Sequence, residues 1–252
     1  MRRLLFAFML FVCFSTVEAY TKPSSIEEKD WEKLQPYLLP EDHPAKSALD
    51  KIFQTRVLNS YKSFNEAGFF YHERFNRTMI VAKHPKLKGY LIKTYLDVHG
   101  TKSPDWFIWK RRIVGAKQIQ ATLDKHNYNH IMKVPKKWIY FLPPEPAATG
   151  PHPVSCFLVV EDMYILDSKD NKKKYRTAMN KERLDALYTV LEENQLWDST
   201  LIFNIPFSKD GKIAFIDTER FNSTNHKMRY GRLTSKFPPN MQSHWTKLIK
   251  HK

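Results

Sequence analysis

The chain of 252 residues is short of cysteine, glycine and acid. Cysteine occurs twice, at Cys13 and Cys156, which leaves no Cys-pair spacing for zinc and no disulfide framework. Ten histidines are scattered, and the one four-residue spacing, His126 and His130, brackets Asn127-Tyr128-Asn129 at a helix end. Seven glycines exclude a low-complexity chain. They also leave no G-x-G-x-x-G loop, because Gly68 is the sole glycine of the first strand pair, and no G-x-S-x-G elbow. Beyond residues 1–19 no apolar run is long enough to span a membrane. Glu161-Asp162 is adjacent on a strand, so its carboxylates point to opposite faces and cannot share work on one bond.

What is present is apolar and basic. Hydrophobic residues make up 42% and aromatics 14%, which is the composition of a chain that buries a core. Met1-Arg2-Arg3, the run LLFAFMLFVCF and Val17-Glu18-Ala19 form the pattern of a secretory signal peptide over residues 1–19, cleaved before Tyr20, with an uncleaved anchor as the alternative. This predicts an exported protein in which Cys156, in VSCFLVV, is the single thiol and is buried. The formal net charge is +15, with 41 Lys and Arg against 26 Asp and Glu. The lysines are spread, without an Arg-rich arm, so specific nucleic-acid recognition is not expected. An acidic protein or an anionic surface is the partner such a charge favours. Asn76-Arg-Thr and Asn222-Ser-Thr are glycosylation sequons, relevant only in a eukaryotic secretory pathway.

Periodicity divides the rest. Residues 20–58 predict a small helical extension: IEEKDWEKL capped by Ser24 or Ser25, then SALDKIFQ with Leu49, Ile52 and Phe53 on one face. FFYHERF, TMIVAKHP and GYLIKTYLD predict three antiparallel strands within 64–97. Trp109, Ile113, Ala116, Ile119 and Leu123 recur at helical spacing over 105–127. KKWIYFLP and SCFLVVEDMYIL predict two more strands. Asn180 caps a helix over 180–196 whose Leu184, Leu187, Tyr188 and Leu191 share a face. FNIPFSKDGKIAFIDTER then predicts a hairpin turning at Ser208–Gly211, with one or two short helices after it. The order predicts a two-lobed α+β protein with a hinge near 161–167, one lobe over 59–162 and a reduced one over 163–252.

The hairpin carries the most specific signal. Asn204-Ile-Pro-Phe…Asp210-Gly211-Lys-Ile-Ala-Phe-Ile-Asp217-Thr-Glu219 resembles the NIL…DGKIAFIDFE run of protein-kinase-like phosphotransferases, and the element order over residues 60–220 resembles that family's. The resemblance implies a kinase-like fold that binds ATP with Mg²⁺ held by Asn204 and Asp217. Magnesium is a hard ion, held by one or two protein oxygens together with phosphates and water. Lys93 in LIKTYL resembles the phosphate-binding lysine of the third strand. If it shares a face with Leu91, it points into the cleft. Glu161, Asp162 and Met163 resemble the hinge whose backbone binds adenine.

Three departures accompany it. The catalytic-loop aspartate should stand five residues before Asn204, at Ser199. Asp198 is one residue away and would serve as the base only if the loop carries one extra residue. The helix at 105–127 has no glutamate to pair Lys93, since Lys117 and Gln118 occupy its central turn. The chain after Asp217 is too short for a peptide-substrate platform. These features leave two expectations, an atypical phosphotransferase or an inactive pseudokinase-type protein that binds an acidic partner or anionic surface. A chance hairpin match on an unrelated fold would leave Lys93 pointing away from Asn204 and Asp217.

Overall fold

The computed structural model describes residues 20–71 and 78–250, and these form a mixed α+β fold. Five strands, β1 (Phe70–Tyr71), β2 (Ile80–Lys83), β3 (Tyr90–Thr94), β5 (Lys137–Phe141) and β6 (Cys156–Glu161), make an antiparallel sheet in the order β1-β2-β3-β6-β5. β6 is an interior strand, between β3 and β5, and is buried along almost its whole length, as its unbroken run CFLVV demands of a strand covered on both faces. Cys156 is buried there as a free thiol, and burial pushes its pKa well above the usual thiol value. Helices α1 (Glu28–Leu34) and α2 (Lys46–Ile52) contribute Leu34, Leu49 and neighbouring Phe53 to the same hydrophobic cluster as the sheet. The N-terminal extension is thus part of the first core. A buried ion pair from Arg56 to Asp97 fastens it to the segment after β3.

Helix α4 (Asp105–Lys125) joins two clusters. Its Trp109 and Ile113 pack with the sheet, while Ala116, Ile119 and Leu123 pack with a second cluster. That cluster contains α6 (Lys181–Glu193), the hairpin and α7 (Pro239–Lys250). Between its two apolar stripes α4 carries Gly115. A Cβ there would lie 2.0 Å from the carbonyl oxygen of Thr218 and 2.9 Å from the Phe221 ring. Alanine normally favours a helix interior by about 1 kcal/mol over glycine. Here it would drive α4 off the hairpin backbone, and Gly115→Ala should destabilise the protein by about 1–3 kcal/mol instead, read from urea unfolding midpoints.

The hairpin is held by Ser208 N–H to Lys212 O (2.9 Å), Ala214 N–H to Pro206 O (2.8 Å) and Ile216 N–H to Asn204 O (3.0 Å). Its turn has Gly211 at φ +81°, and Asp210 accepts from the Lys212 N–H, the Ser208 hydroxyl and Lys133. The first arm is not a regular strand as the apolar run 203–207 suggested, because Pro206 has no N–H to give back. The second arm, β7 (Ile213–Ala214), pairs in parallel with β4 (Met132–Lys133) instead.

Three sequence expectations need correction. The cap of α1 is Glu27 with no side-chain hydrogen bond, not Ser24 or Ser25. Residues Tyr61–Glu66, the last three of which fall in the 64–97 stretch expected to hold three strands, form helix α3, closed by a reciprocal Ser60–Ser63 capping box. The Ser168–Ala178 segment, α5, was not anticipated, because its buried face consists of Asn171 and Tyr175 rather than an apolar stripe. The chain after the hairpin holds two helical segments, as expected, the 3₁₀ segment His226–Lys236 and α7. The signal-peptide reading of 1–19 and the sequon at Asn76 lie outside the described residues. Asn222 is exposed. No helix among the described residues is long and apolar enough to cross a membrane.

Candidate functional site

β3, α4 and the open end of the hairpin meet at one place. Lys93 is 6% exposed and sends its ammonium to the carbonyl oxygen of Ile216 at 2.9 Å. The next residue is Asp217. The Asn204 carbonyl receives the N–H groups of both Ile216 and Asp217, at 3.0 and 3.4 Å. Lys93, Asn204 and Asp217, widely separated in sequence, are therefore brought together. The hairpin register sets Asn204 opposite Asp217, since residues opposite each other near the turn remain opposite at the open end, and the Lys93 side chain reaches across from β3 to Ile216.

The partner of Asp217 is a residue the sequence reading passed over. Arg112, on α4, gives Nη1 to Asp217 Oδ1 at 2.5 Å and Nη2 to Glu219. Arg112 stands one helical turn from Trp109 on the inward side of α4 and is 5% exposed. The helix offers Lys93 no glutamate and instead presents a cation to Asp217. Lys137 was overlooked too. It shares the inward face of β5 with Ile139 and Phe141 and donates to the Thr218 hydroxyl at 2.6 Å. That hydroxyl in turn donates to the Arg112 carbonyl. Burial, reinforced by the charges of Lys93 and Arg112, lowers the Lys137 pKa well below that of a free lysine. For Asp217 burial alone would raise the pKa. The guanidinium of Arg112 and the ammoniums of Lys93 and Lys137 outweigh it and hold the carboxyl at about 2.

Asp198 opens a 3₁₀ turn, Asp198–Thr200. That turn and a second one, Asn204 N–H to Leu201 O at 2.8 Å, take up the extra residue between Asp198 and Asn204. The Asn204 amide donates back to the Asp198 carbonyl at 2.8 Å, which ties the two residues. The Asp198 carboxylate lies 3.3 Å from Arg220 Nε and 3.8 Å from Arg229 Nη1. Burial raises its pKa against the pull of Arg220, with Asp217 and Glu219 adding to the rise.

In the expected hinge, the N–H of Glu161 is bound to Lys136 O and its carboxylate to the Lys136 N–H. Asp162 gives its N–H to Gly89 O and pairs with Lys83. Met163 alone of the three has backbone N–H and C=O groups without a hydrogen bond among the described residues. Glu161 and Asp162 thus close the sheet end, and Met163 is the position open to a ligand.

The oxygens suited to a hard cation are Asn204 Oδ1 and Asp217 Oδ2, neither of which accepts a hydrogen bond among the described residues. Among those residues no three His, Cys, Asp or Glu side chains gather into a self-sufficient metal centre. With Arg112, Lys93 and Lys137 already facing one carboxylate, a divalent ion alone meets repulsion. The donor set fits magnesium only when phosphate oxygens arrive with it. No protein-family model matches the chain, and a search of curated proteins likewise finds no match.

Proposed function

We propose that the chain is a kinase-like protein that binds a nucleoside triphosphate between β3, Met163 and the open end of the hairpin, with magnesium entering only as the nucleotide complex. The observation that carries this reading is the meeting of Lys93, Asn204 and Asp217 at one point. The sheet order and the free backbone groups of Met163 are consistent with it. Magnesium would lie against Asn204 and Asp217 and would supply charge neutralisation on the phosphates. Lys93 is placed to pair with a phosphate once it leaves the Ile216 carbonyl. Asp198 would orient the acceptor hydroxyl, and burial moves its pKa in the direction a proton acceptor needs. Export after removal of residues 1–19 belongs to the same proposal.

Thermal denaturation tests it. ATP with MgCl₂ should raise the midpoint by roughly 5 °C or more at a hundredfold excess over Kd, and MgCl₂ alone should not. Asp217→Asn should remove the response. An unchanged midpoint at millimolar ATP and magnesium would end the nucleotide reading.

One observation favours a second reading, an inactive binding protein. Arg112 already occupies Oδ1 of Asp217 and so supplies the positive charge that a metal would. In that case the clamp is structural, the midpoint ignores nucleotide, and the function rests on the basic surface.

A further inference from the structure

Beneath the hairpin's first arm lies a cavity of about 1080 Å³, walled by α5, by Thr200–Phe203 and by the 3₁₀ segment 226–236. Six cations line it: Lys169, Lys172, Lys173 and Arg176 from α5, and Arg232 and Lys236 from the 3₁₀ segment. No carboxylate lines it among the described residues. Nor does any of the six form an ion pair among the described residues, although Lys46, Lys83, Lys125 and Lys133 elsewhere each pair with Asp or Glu. The four α5 cations stand at three- and four-residue spacings, where like charges repel and weaken a helix. A concave wall sharpens the field further by limiting access of solvent.

The walls are joined by buried hydrogen bonds. Asn171 donates to Ile202 O at 3.0 Å and accepts from the Phe207 N–H at 2.9 Å. Tyr175 donates to Ile205 O at 2.5 Å. α5 is therefore fixed to the loop by its inner face while its outer face presents the cations. Side chains of Leu201 and Phe203 are 37% and 47% exposed at this loop, and Lys172 lies 5.9 Å from the centre of the Phe203 ring.

We propose that this cavity binds a small body carrying several phosphate groups. Lysine and arginine in a cluster neutralise such a group, and the volume suits a small molecule rather than a protein segment. Two sources share this chemistry: a free polyphosphorylated molecule and the headgroup of a polyphosphorylated lipid. The cavity's lining includes neither Lys93 nor Asp217, although Thr200–Phe203 runs between Asp198 and Asn204 of the proposed nucleotide site, and phosphate binding here does not require nucleotide binding there.

Titration calorimetry of the protein with inositol hexakisphosphate and with inorganic tripolyphosphate tests the free source. Co-sedimentation with phosphatidylcholine vesicles, with and without phosphatidylinositol bisphosphate, tests the lipid. Binding in either arm is expected to weaken by about tenfold or more in the triple variant Lys172→Ala, Arg176→Ala, Lys236→Ala. The exposed triple variant Lys62→Ala, Lys86→Ala, Lys88→Ala removes the same charge elsewhere and should cost much less. All three cavity positions are exposed, and circular dichroism would verify that the fold is retained. Equal weakening by both triple variants, or no binding in either arm, would overturn the proposal. Saturation by ATP at the cleft should leave the calorimetric affinity unchanged, and full competition by ATP would place the phosphates in the cleft and also overturn it.

Discussion

Arg112→Ala should lower the unfolding free energy by about 3–5 kcal/mol, the usual result of removing one member of a buried ionic cluster. Arg112 is 5% exposed and splits its guanidinium between Asp217 and Glu219. Its loss would leave two carboxylates beside each other in a partly buried site without their shared cation. Lys93 is committed to the Ile216 carbonyl and Lys137 to Thr218, so neither replaces the lost geometry. Arg112 Nε has no hydrogen-bond partner among the described residues, so the clamp carries a desolvation cost even when intact. The double variant Arg112→Met, Asp217→Asn should therefore recover part of the loss, and urea unfolding of the four proteins would give the coupling. An Arg112→Ala variant as stable as the parent would show that the clamp contributes nothing.

The same cluster sets an acid limb. The folded pKa of Asp217, about 2, lies below the ordinary 3.8. A depressed carboxyl pKa stabilises the fold above the unfolded value and loses that contribution as pH falls through the folded one. The contribution, on the order of 2 kcal/mol, should be complete above pH 5 and disappear between about pH 4 and pH 2. Asp210, also held at about 2 but on an exposed turn, titrates with the same sign. The Asp217 share is the part of the slope lost in Asp217→Asn, measured by unfolding at a series of pH values.

Asp97→Ala is expected to be as damaging, at about 3–5 kcal/mol or roughly 10 °C in Tm. Asp97 is fully buried and accepts from Arg56 Nε at 2.9 Å, from Arg56 Nη2 at 2.7 Å and from the Val154 N–H at 2.8 Å. Its backbone N–H reaches Leu58 O and its carbonyl takes the His152 N–H. One carboxylate thus ties the N-terminal extension, the β3–α4 connection and the entry to β6. Alanine would leave the Arg56 guanidinium with Val154 O as its one partner among the described residues and orphan the Val154 N–H. Asp97→Asn can keep the Val154 bond and should cost less. Limited proteolysis should then cut first within 20–58, where the tie is lost. Loss of stability without earlier cleavage in that segment would show that the extension is held by its apolar contacts alone.

Much of this architecture was legible as periodicity. The alternation in TMIVAKHP and GYLIKTYLD, the helical stripe from Trp109 to Leu123 and the Asn180 cap each name their element, because one apolar face must be buried. The Asp210-Gly211 turn likewise announces the hairpin and thereby the neighbourhood of Asn204 and Asp217. α5 escaped because its inner face is held by hydrogen bonds from Asn171 and Tyr175, which leave no hydrophobic period to read.

The sequence by itself determined the four longer strands of the main sheet, the long helix, the basic charge and the pairing of Asn204 with Asp217 across a turn, since these follow from local spacing. Only the tertiary structure decided that Arg112 clamps Asp217, that Lys137 is buried beside them, that Asp162 closes the sheet end, and that six cations face one cavity. Those are contacts between segments up to 105 residues apart. The sign and distance of a charge across a packed interface leave no trace in the spacing of either segment.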